Sequence, residues 1–347
     1  CGCVGCTAEV GAGHPSQADC RRGVRAALAG LPAGSLALAA VSGGTDSLAL
    51  AGALAAEGPA HDVTVGAIIV DHGLQLDSAE TALLAAQQCA DLGLAPVAVV
   101  QAVVSTTGAG LEADAREARY TALAETAAAM GEEHPAHAVL LGHTRDDQAE
   151  QVLLGLTRGS GARSLAGMSD LVVRGGTPFV RPLLHLPRET TAAACAAWGL
   201  VAWEDPMNSD RAFARVRARD ALAALEADLG PGLAQALARS ADLLRDDADL
   251  LDELAERAVP DDDPAGVRVG ELADLAPALR SRVWRRLLTR GMVDAAHRHG
   301  AVVHVWTINE RPDMERLIDL GVDGIVTDNL ATLKAVLVER DLWEGHA

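Results

Sequence analysis

Lysine is almost missing from this chain: of its 29 basic residues only Lys334 is a lysine. Coding bias is sufficient to explain this, so no function is drawn from it. Long apolar runs are missing too. None reaches the ~18 residues that a membrane-spanning helix needs, so no membrane association is expected. The first residues, CGCVGCTAEVGAG, hold no basic stretch followed by an apolar core, which argues against a signal peptide and for the cytoplasm. Positive charge is scarce: 29 basic residues stand against 48 acidic ones, a formal net charge of −19. That excludes a protein coated in nucleic acid but leaves room for one local basic face. Cysteine is sparse. Cys1, Cys3 and Cys6 form C-x-C-x-x-C, and with Cys20 they could supply four thiolates for Zn²⁺ or an Fe–S cluster. The segment is short and glycine-rich, with no recognisable ribbon, so residues 1–23 read as a disordered leader. Cys89 and Cys195 read as small buried residues on helices. With 347 residues, 49 % of them hydrophobic, the chain has room for two or three domains with real cores.

The most informative stretch is LALAAVSGGTDSLALAGALAAE, residues 36–57. Residues 36–41 read as a buried strand. Leu48, Leu50, Ala51 and Leu54 fit a helix packed on one face. Between them lie Ser42, Gly43, Gly44, Thr45, Asp46 and Ser47. Glycines permit a tight turn, and a tight turn into a helix leaves N–H groups pointing outward as an anion site suited to phosphate. Ser42 and Ser47 could add hydroxyl donors. Asp46 repels an anion unless a cation such as Mg²⁺ bridges. No lysine follows the glycines, so this is not a Walker A loop, and it is not GxGxxG. An ordinary capped strand-to-helix turn would share the bare SGG.

Strand and helix patterns then alternate: a strand at 63–70, a helix from Ser78 to Leu92, a strand at 95–100, a helix around 112–130, a strand at 137–142 and a helix starting near Asp146. Alternation of this kind predicts a parallel sheet with helices on both faces. Ligands on such sheets bind beyond the carboxyl ends of the strands. Polar clusters fall there: the glycine loop, then Asp71 and His72, then Glu112, Arg116, Arg119 and Tyr120, then Asp147 and Glu150. Glu112 and Arg116, at i and i+4, would ordinarily make a surface ion pair. Asp147 and Glu150 lie at i and i+3 on a first helical turn, where acids often only complement the helix dipole.

S-G-G-x-D-S resembles the pyrophosphate-binding PP-loop of the N-type ATP pyrophosphatases. The ordered set SGGTDS, VDHGL, EADAREARY, GHTRDDQAE, RGSG, RPLLHLPRE and EDPMNSD resembles tRNA(Ile)-lysidine synthetases over about residues 24–288. Gln75 and Gln151 stand where that family often has Arg and Thr. The resemblance implies an α/β fold: a parallel-sheet PP-loop domain (adenine nucleotide α-hydrolase-like) over 24–208, then a helical region over 209–290. It implies a ligase forming a carbon–nitrogen bond. ATP would be cleaved, bound with Mg²⁺ at Ser42–Ser47, with Asp46 on the Mg²⁺ side and Asp71 and His72 near the nucleotide's sugar or base. Free lysine and a tRNA(Ile) with a CAU anticodon would be the other substrates. Asp147 and Glu150 would hold the cationic lysine, and Arg116 would contact phosphate or the activated base.

Two arginine stripes follow the catalytic region. Arg211, Arg215 and Arg219, with Arg217 nearby, are the natural place for tRNA phosphates. Arg280, Arg282, Arg285, Arg286 and Arg290 form the second. PDDDPAG, 260–266, reads as a linker. From about residue 291 the pattern changes: HVWTIN and LGVDGIVTD resemble the last strands and helices of glycerophosphodiester phosphodiesterases, which are TIM barrels. A strand at 301–307, helix 311–320, strand 324–327 and helix 329–340 would make a βα fragment of such a barrel over 291–347. The early His-Arg-Gly and acidic metal ligands of that family do not precede it, so phosphodiesterase activity is not expected. A PP-loop tRNA thiolase, or a chimera whose tRNA grip was lost at the join, are the remaining alternatives.

Overall fold

The computed structural model describes residues 14–71, 78–102, 111–134, 136–157, 161–258, 274–288, 290–340 and 342–343. These form two compact units whose segments interleave along the chain. One unit takes in 1–102, 119–149 and 169–212; the other takes in 103–118, 150–168 and 213–347.

The first unit is built on a six-stranded sheet. Its strands are β1 (Leu36–Val41), β2 (Thr64–Asp71), β3 (Val97–Gln101), β4 (His137–Leu141), β5 (Leu171–Arg174) and β6 (Thr177–Val180). They run in the order β3-β2-β1-β4-β6-β5, parallel except for the β5–β6 hairpin. Strand β1 is buried at all six positions and sorts its side chains by the strand period of two. Ala37, Ala39 and Val41 enter one core layer with α1 (Pro15–Leu28), α2 (Thr45–Glu57), α3 (Ser78–Asp91) and α7 (Arg188–Ala197). Leu36, Leu38 and Ala40 enter the other, where they meet Tyr120, Leu123 and Ala127 of α4 (Leu111–Gly131). There Tyr120 packs edge-on against Phe179, ring centroids 5.0 Å apart. Double cover explains why these strands read as continuous apolar runs.

Helix α1 corrects the expected leader. Residues 15–23 are helical, not disordered. His14 and Gln17 form a capping box around Pro15, and Cys20, Val24 and Leu28 fall at helical spacing into the core. The helix is also tied by charge: Arg21 Nε and Arg25 Nε lie 2.6 and 2.8 Å from the buried carboxylate of Glu57 on α2. Cys1, Cys3 and Cys6 lie outside the described residues. Cys20 is buried, and burial pushes its thiol up to about 12, the reverse of a metal-ready thiolate.

The β5–β6 hairpin has no counterpart among the expected elements, whereas α7 is the helix expected around Cys195. The helices α5 (Arg145–Thr157) and α6 (Ala162–Leu165) separate β4 from β5. In the second unit, α8 (Ala214–Leu229), α9 (Leu233–Ala258) and α10 (Pro277–Leu287) follow. Helix α8 begins at Ala214, so Arg211 is not on it and the expected four-residue stripe is shorter. Asp210 accepts from the Ala212 amide at 2.9 Å and holds that stretch in a turn. Arg282 of the second stripe faces inward: its Nε is 2.7 Å from Asp252, which also pairs with Arg163. The linker 260–266 lies outside the described residues. The C-terminal piece has α11 (Arg290–Arg298), β7 (His304–Trp306), α12 (Arg311–Leu320), β8 (Gly324–Val326) and α13 (Leu330–Glu339). β7 and β8 pair in parallel around Leu288, Val293 and Leu317. The first strand is half the length expected, because Ala301 and Val303 bond to a helix end and a loop.

Candidate active site at the carboxyl ends of β1 and β4

Strand β1 lies between β2 and β4, so the sheet's order reverses at β1, the position where open α/β sheets bind ligands. The loop Ser42–Ser47 leaves β1 at that point. Gly43 carries φ +81°, a backbone angle that glycine alone adopts without strain. Its carbonyl accepts from the Trp203 amide at 2.9 Å. Ser47 closes the loop from within: its hydroxyl donates to the Gly44 carbonyl at 2.8 Å and accepts from the Ser42 amide at 3.1 Å. The Ser47 proton is thus spent inside the loop; the exposed Ser42 hydroxyl lies 3.3 Å from Ser47 Oγ, to which it donates, and it is the one of the two that can turn outward. Gly44 caps α2 with no side chain, so the first-turn N–H groups of residues 45–47 form the anion-binding end of the helix.

Residues after β4 close over the same point. A Cβ at Gly142 would sit 3.0 Å from the Asp46 carbonyl oxygen and 3.1 Å from Ser47 Cα, so only glycine lets β4 approach α2 this closely. Thr144 and Asp147 then cap α5. The Thr144 amide and hydroxyl donate to Asp147 Oδ2 at 2.7 and 2.8 Å. The N3 side chain thus reaches back to the N-cap amide, one half of a capping box, with aspartate where glutamate is commoner. Asp147 Oδ1 accepts from Arg188 Nη2 at 2.9 Å.

Arg188, the first residue of α7, joins the two acids. Its Nε lies 3.6 Å from Asp46 Oδ2, and its backbone amide donates to Asp146 Oδ2 at 2.8 Å. Thr191, one turn on, has its hydroxyl placed to donate to Asp46 Oδ1 or to the Arg188 carbonyl, 2.7 Å away. Given to Asp46, that proton favours the ionised carboxylate. Stronger influences oppose it. Burial pushes the Asp46 carboxyl up to about 6, and the charges of Asp147 and Asp146 add to this against the pull of Thr191 and Arg188. Burial also opposes ionisation of Asp147. There Arg188, His143 and the Thr144 donors prevail and hold the carboxyl below its ordinary range.

The other candidate residues divide. Asp71 ends β2, half-buried; His72 lies outside the described residues. Glu150 is buried on α5, and Arg219 Nε is 2.9 Å from its Oε1. Arg219 therefore holds a carboxylate. Arg217 is exposed, Arg215 half-buried, and Arg116 half-buried on α4. Cys89 and Cys195 are buried as expected, and burial raises both thiols. Arg188, Thr191, Thr144 and Asp146 were not singled out. T-x-x-D before a helix was a legible cap signal, and Arg188 sits inside the quoted RPLLHLPRE. Among the described residues no group of three or more His, Cys, Asp or Glu side chains could hold a metal by itself. Mg²⁺ binds through one or two carboxylates together with substrate phosphates. A lone Asp46 with a raised proton affinity, beside an anion-binding loop, fits that manner.

The PP-loop domain family matches residues 20–226. The tRNA(Ile)-lysidine synthase of Thermobifida fusca is 50 % identical over 276 residues, 79 % of this chain and 82 % of that protein. The chain belongs to the tRNA(Ile)-lysidine synthase family. The lysidine synthase of Salinispora arenicola is 48 % identical over 294 residues, covering 82 % of this chain and 86 % of its own. Among solved structures, the U34-tRNA thiolase NcsA from Methanococcus maripaludis, with its 4Fe–4S cluster, superposes with a TM-score of 0.55. It covers 66 % of this chain and 80 % of its own at 19 % identity, a likeness of fold alone. The glycerophosphoryl diester phosphodiesterase family matches residues 252–332, which begins earlier than 291 and takes in α10. Among the described residues no helix is long and apolar enough to cross a membrane.

Proposed function

We propose that the chain ligates free lysine to the wobble cytidine of a tRNA(Ile) with a CAU anticodon, with ATP as the activating substrate. The observation that carries this reading is the approach of the PP-loop acid Asp46 and the capped acid Asp147 to the same guanidinium, Arg188, at the sheet's switch point. In the first half-reaction the ring carbonyl oxygen of cytosine attacks the α-phosphorus of ATP and pyrophosphate leaves. In the second, the side-chain amine of lysine attacks the ring carbon, the carbon–oxygen bond breaks, and AMP departs with the oxygen.

The first-turn N–H groups of 45–47 and the Ser42 hydroxyl would hold the leaving pyrophosphate, donors aimed where charge develops. Mg²⁺, held through Asp46, would supply charge neutralisation for that leaving group. Asp147 and Glu150 would draw the ammonium form of lysine and take up the proton lost when the amine attacks. Thr144 orients Asp147, and Arg219 orients Glu150. Arg215 and Arg217 are the tRNA-phosphate candidates that remain on α8. The phosphodiesterase-like piece has no role in this chemistry.

The test is pyrophosphate release from ATP with Mg²⁺, lysine and a CAU tRNA(Ile) transcript, leaving out one component at a time. Release should require the tRNA, and Asp46→Ala should abolish it. Release independent of tRNA, or unchanged in Asp46→Ala, refutes the reading.

A further inference from the structure

Three contacts hold Asp147, and they are unequal. Oδ2 is committed to the cap, since the Thr144 amide and hydroxyl both donate to it. Oδ1 is the oxygen that faces a cation, and Arg188 Nη2 occupies it at 2.9 Å. The same guanidinium reaches back to Asp46 Oδ2 through Nε, at 3.6 Å. Its side chain is 29 % exposed, and those of Asp46 and Asp147 are 24 % and 14 % exposed. One planar cation thus spans the acid of the nucleotide loop and the acid of the α5 cap.

The backbone around Arg188 is anchored without this side chain. The Arg188 amide donates to Asp146, and the Arg145 amide donates to the Leu186 carbonyl at 2.9 Å. Thr144 would keep Asp147 in place by itself. The local backbone is therefore tied by bonds other than the guanidinium's, and the guanidinium is well placed to respond to charge. A triphosphate entering the loop brings net negative charge close to Nε. It draws the guanidinium toward the phosphates and away from Oδ1, and Oδ1 becomes available to an ammonium group.

We propose that Arg188 is a positioning residue that couples the two substrates: nucleotide in the PP-loop releases Asp147 Oδ1 from Arg188 and so tightens the binding of lysine. This rests on the reading of Asp147 as the lysine carboxylate. The order of events follows from it. Lysine is held well only once the nucleotide is in place, so the amine does not occupy the site before the base can be activated.

The test is the dissociation constant of L-lysine, measured by calorimetry or equilibrium dialysis, with and without Mg²⁺ and α,β-methylene-ATP, which cannot release pyrophosphate. In the wild-type chain the analogue should tighten lysine about fivefold or more, the lower end of ordinary coupling between sites. In Arg188→Gln that ratio should fall to about one while lysine still binds. Arg188→Lys keeps the charge but not the two-ended reach, and should give an intermediate ratio. General damage weakens both constants together and leaves the ratio as it was, so the ratio separates coupling from structure. A wild-type ratio retained in Arg188→Gln overturns the proposal. A wild-type chain that binds no lysine in either state overturns the lysine reading beneath it.

Discussion

Replacing Thr191 by valine tests the proton at Asp46. The two side chains have nearly the same shape, and Thr191 is fully buried, so the change removes a hydroxyl and little else. The hydroxyl contacts Asp46 Oδ1 and opposes the rise in that group's pKa. A hydrogen bond to a charged group contributes about 1.5–3 kcal/mol, and one pKa unit is about 1.4 kcal/mol. Losing it should move Asp46 roughly one to two units above its present value of about 6. A protonated Asp46 cannot share Mg²⁺. In the wild-type chain the affinity for Mg²⁺ with α,β-methylene-ATP should therefore be flat above about pH 6 and fall about tenfold per unit below it. In Thr191→Val the break should move upward by the same one to two units. Calorimetric titrations between about pH 5 and 9 should show roughly two- to tenfold weaker binding at neutrality and convergence with wild type at the alkaline end. An equal loss at every pH would refute the reasoning, because the hydroxyl would then act through shape. The same proton has a stability signature. The folded value lies above the ordinary 3.8, so this group's contribution, about 3 kcal/mol, is full below pH 3.8 and is lost as pH rises through about 6.

Asp147→Ala should raise the lysine requirement at least tenfold in a steady-state assay, with a loss of about 1 kcal/mol in thermal or denaturant unfolding from the broken cap; unchanged lysine dependence would contradict its role. Gly142→Ala forces a methyl against the Asp46 carbonyl at 3.0 Å. It should cost about 1–3 kcal/mol in unfolding and depress nucleotide binding, and a neutral outcome on both would show that β4 and α2 can part freely. Glu57, held below its ordinary range first by Arg25, contributes stability that is full above that range and lost as pH falls through the lowered value. Glu57→Gln should therefore flatten the acid limb of a stability-against-pH curve. Truncation after Leu287, which removes the separate core around Val293 and Leu317, should leave tRNA-independent nucleotide binding intact; its loss would show that the C-terminal piece supports the site.

Much of this was legible in the residues. β1 and α2 stand where the apolar run, the glycines and the helical spacing put them, because local pattern and burial agree there. The expected elements from 63 to 141 match their strands and helices to within a few residues. Residues 15–23 are helical beside a glycine- and cysteine-rich stretch because Cys20, Val24 and Leu28 form a buried stripe, one that is apolar only if cysteine is counted as a small hydrophobe. β5 and β6 are four residues each, β5 forms the sheet edge, and Pro178 interrupts β6, so their periodic signal is weak. In the site, single motifs were readable and partnerships were not. Nothing in the spacing shows that Arg188 and Thr191 meet Asp46 across about 145 residues, since only the fold brings α7 against α2. Likewise Arg219 looked like one of four RNA-facing arginines until its contact with Glu150 was seen.

The bond from the Trp203 amide to the Gly43 carbonyl sets a time as well as a shape. The PP-loop leaves the ribosome early, but the residues that finish it, Arg188, Thr191 and Trp203, are made some 140–160 positions later. At roughly 5–20 residues per second that delay is on the order of ten to thirty seconds. During it the loop has its glycines and its acid but no lid of partners. A nascent chain halted before α7 would carry the whole SGGTDS string and still grip nucleotide poorly, and the grip would appear only as residue 203 docked.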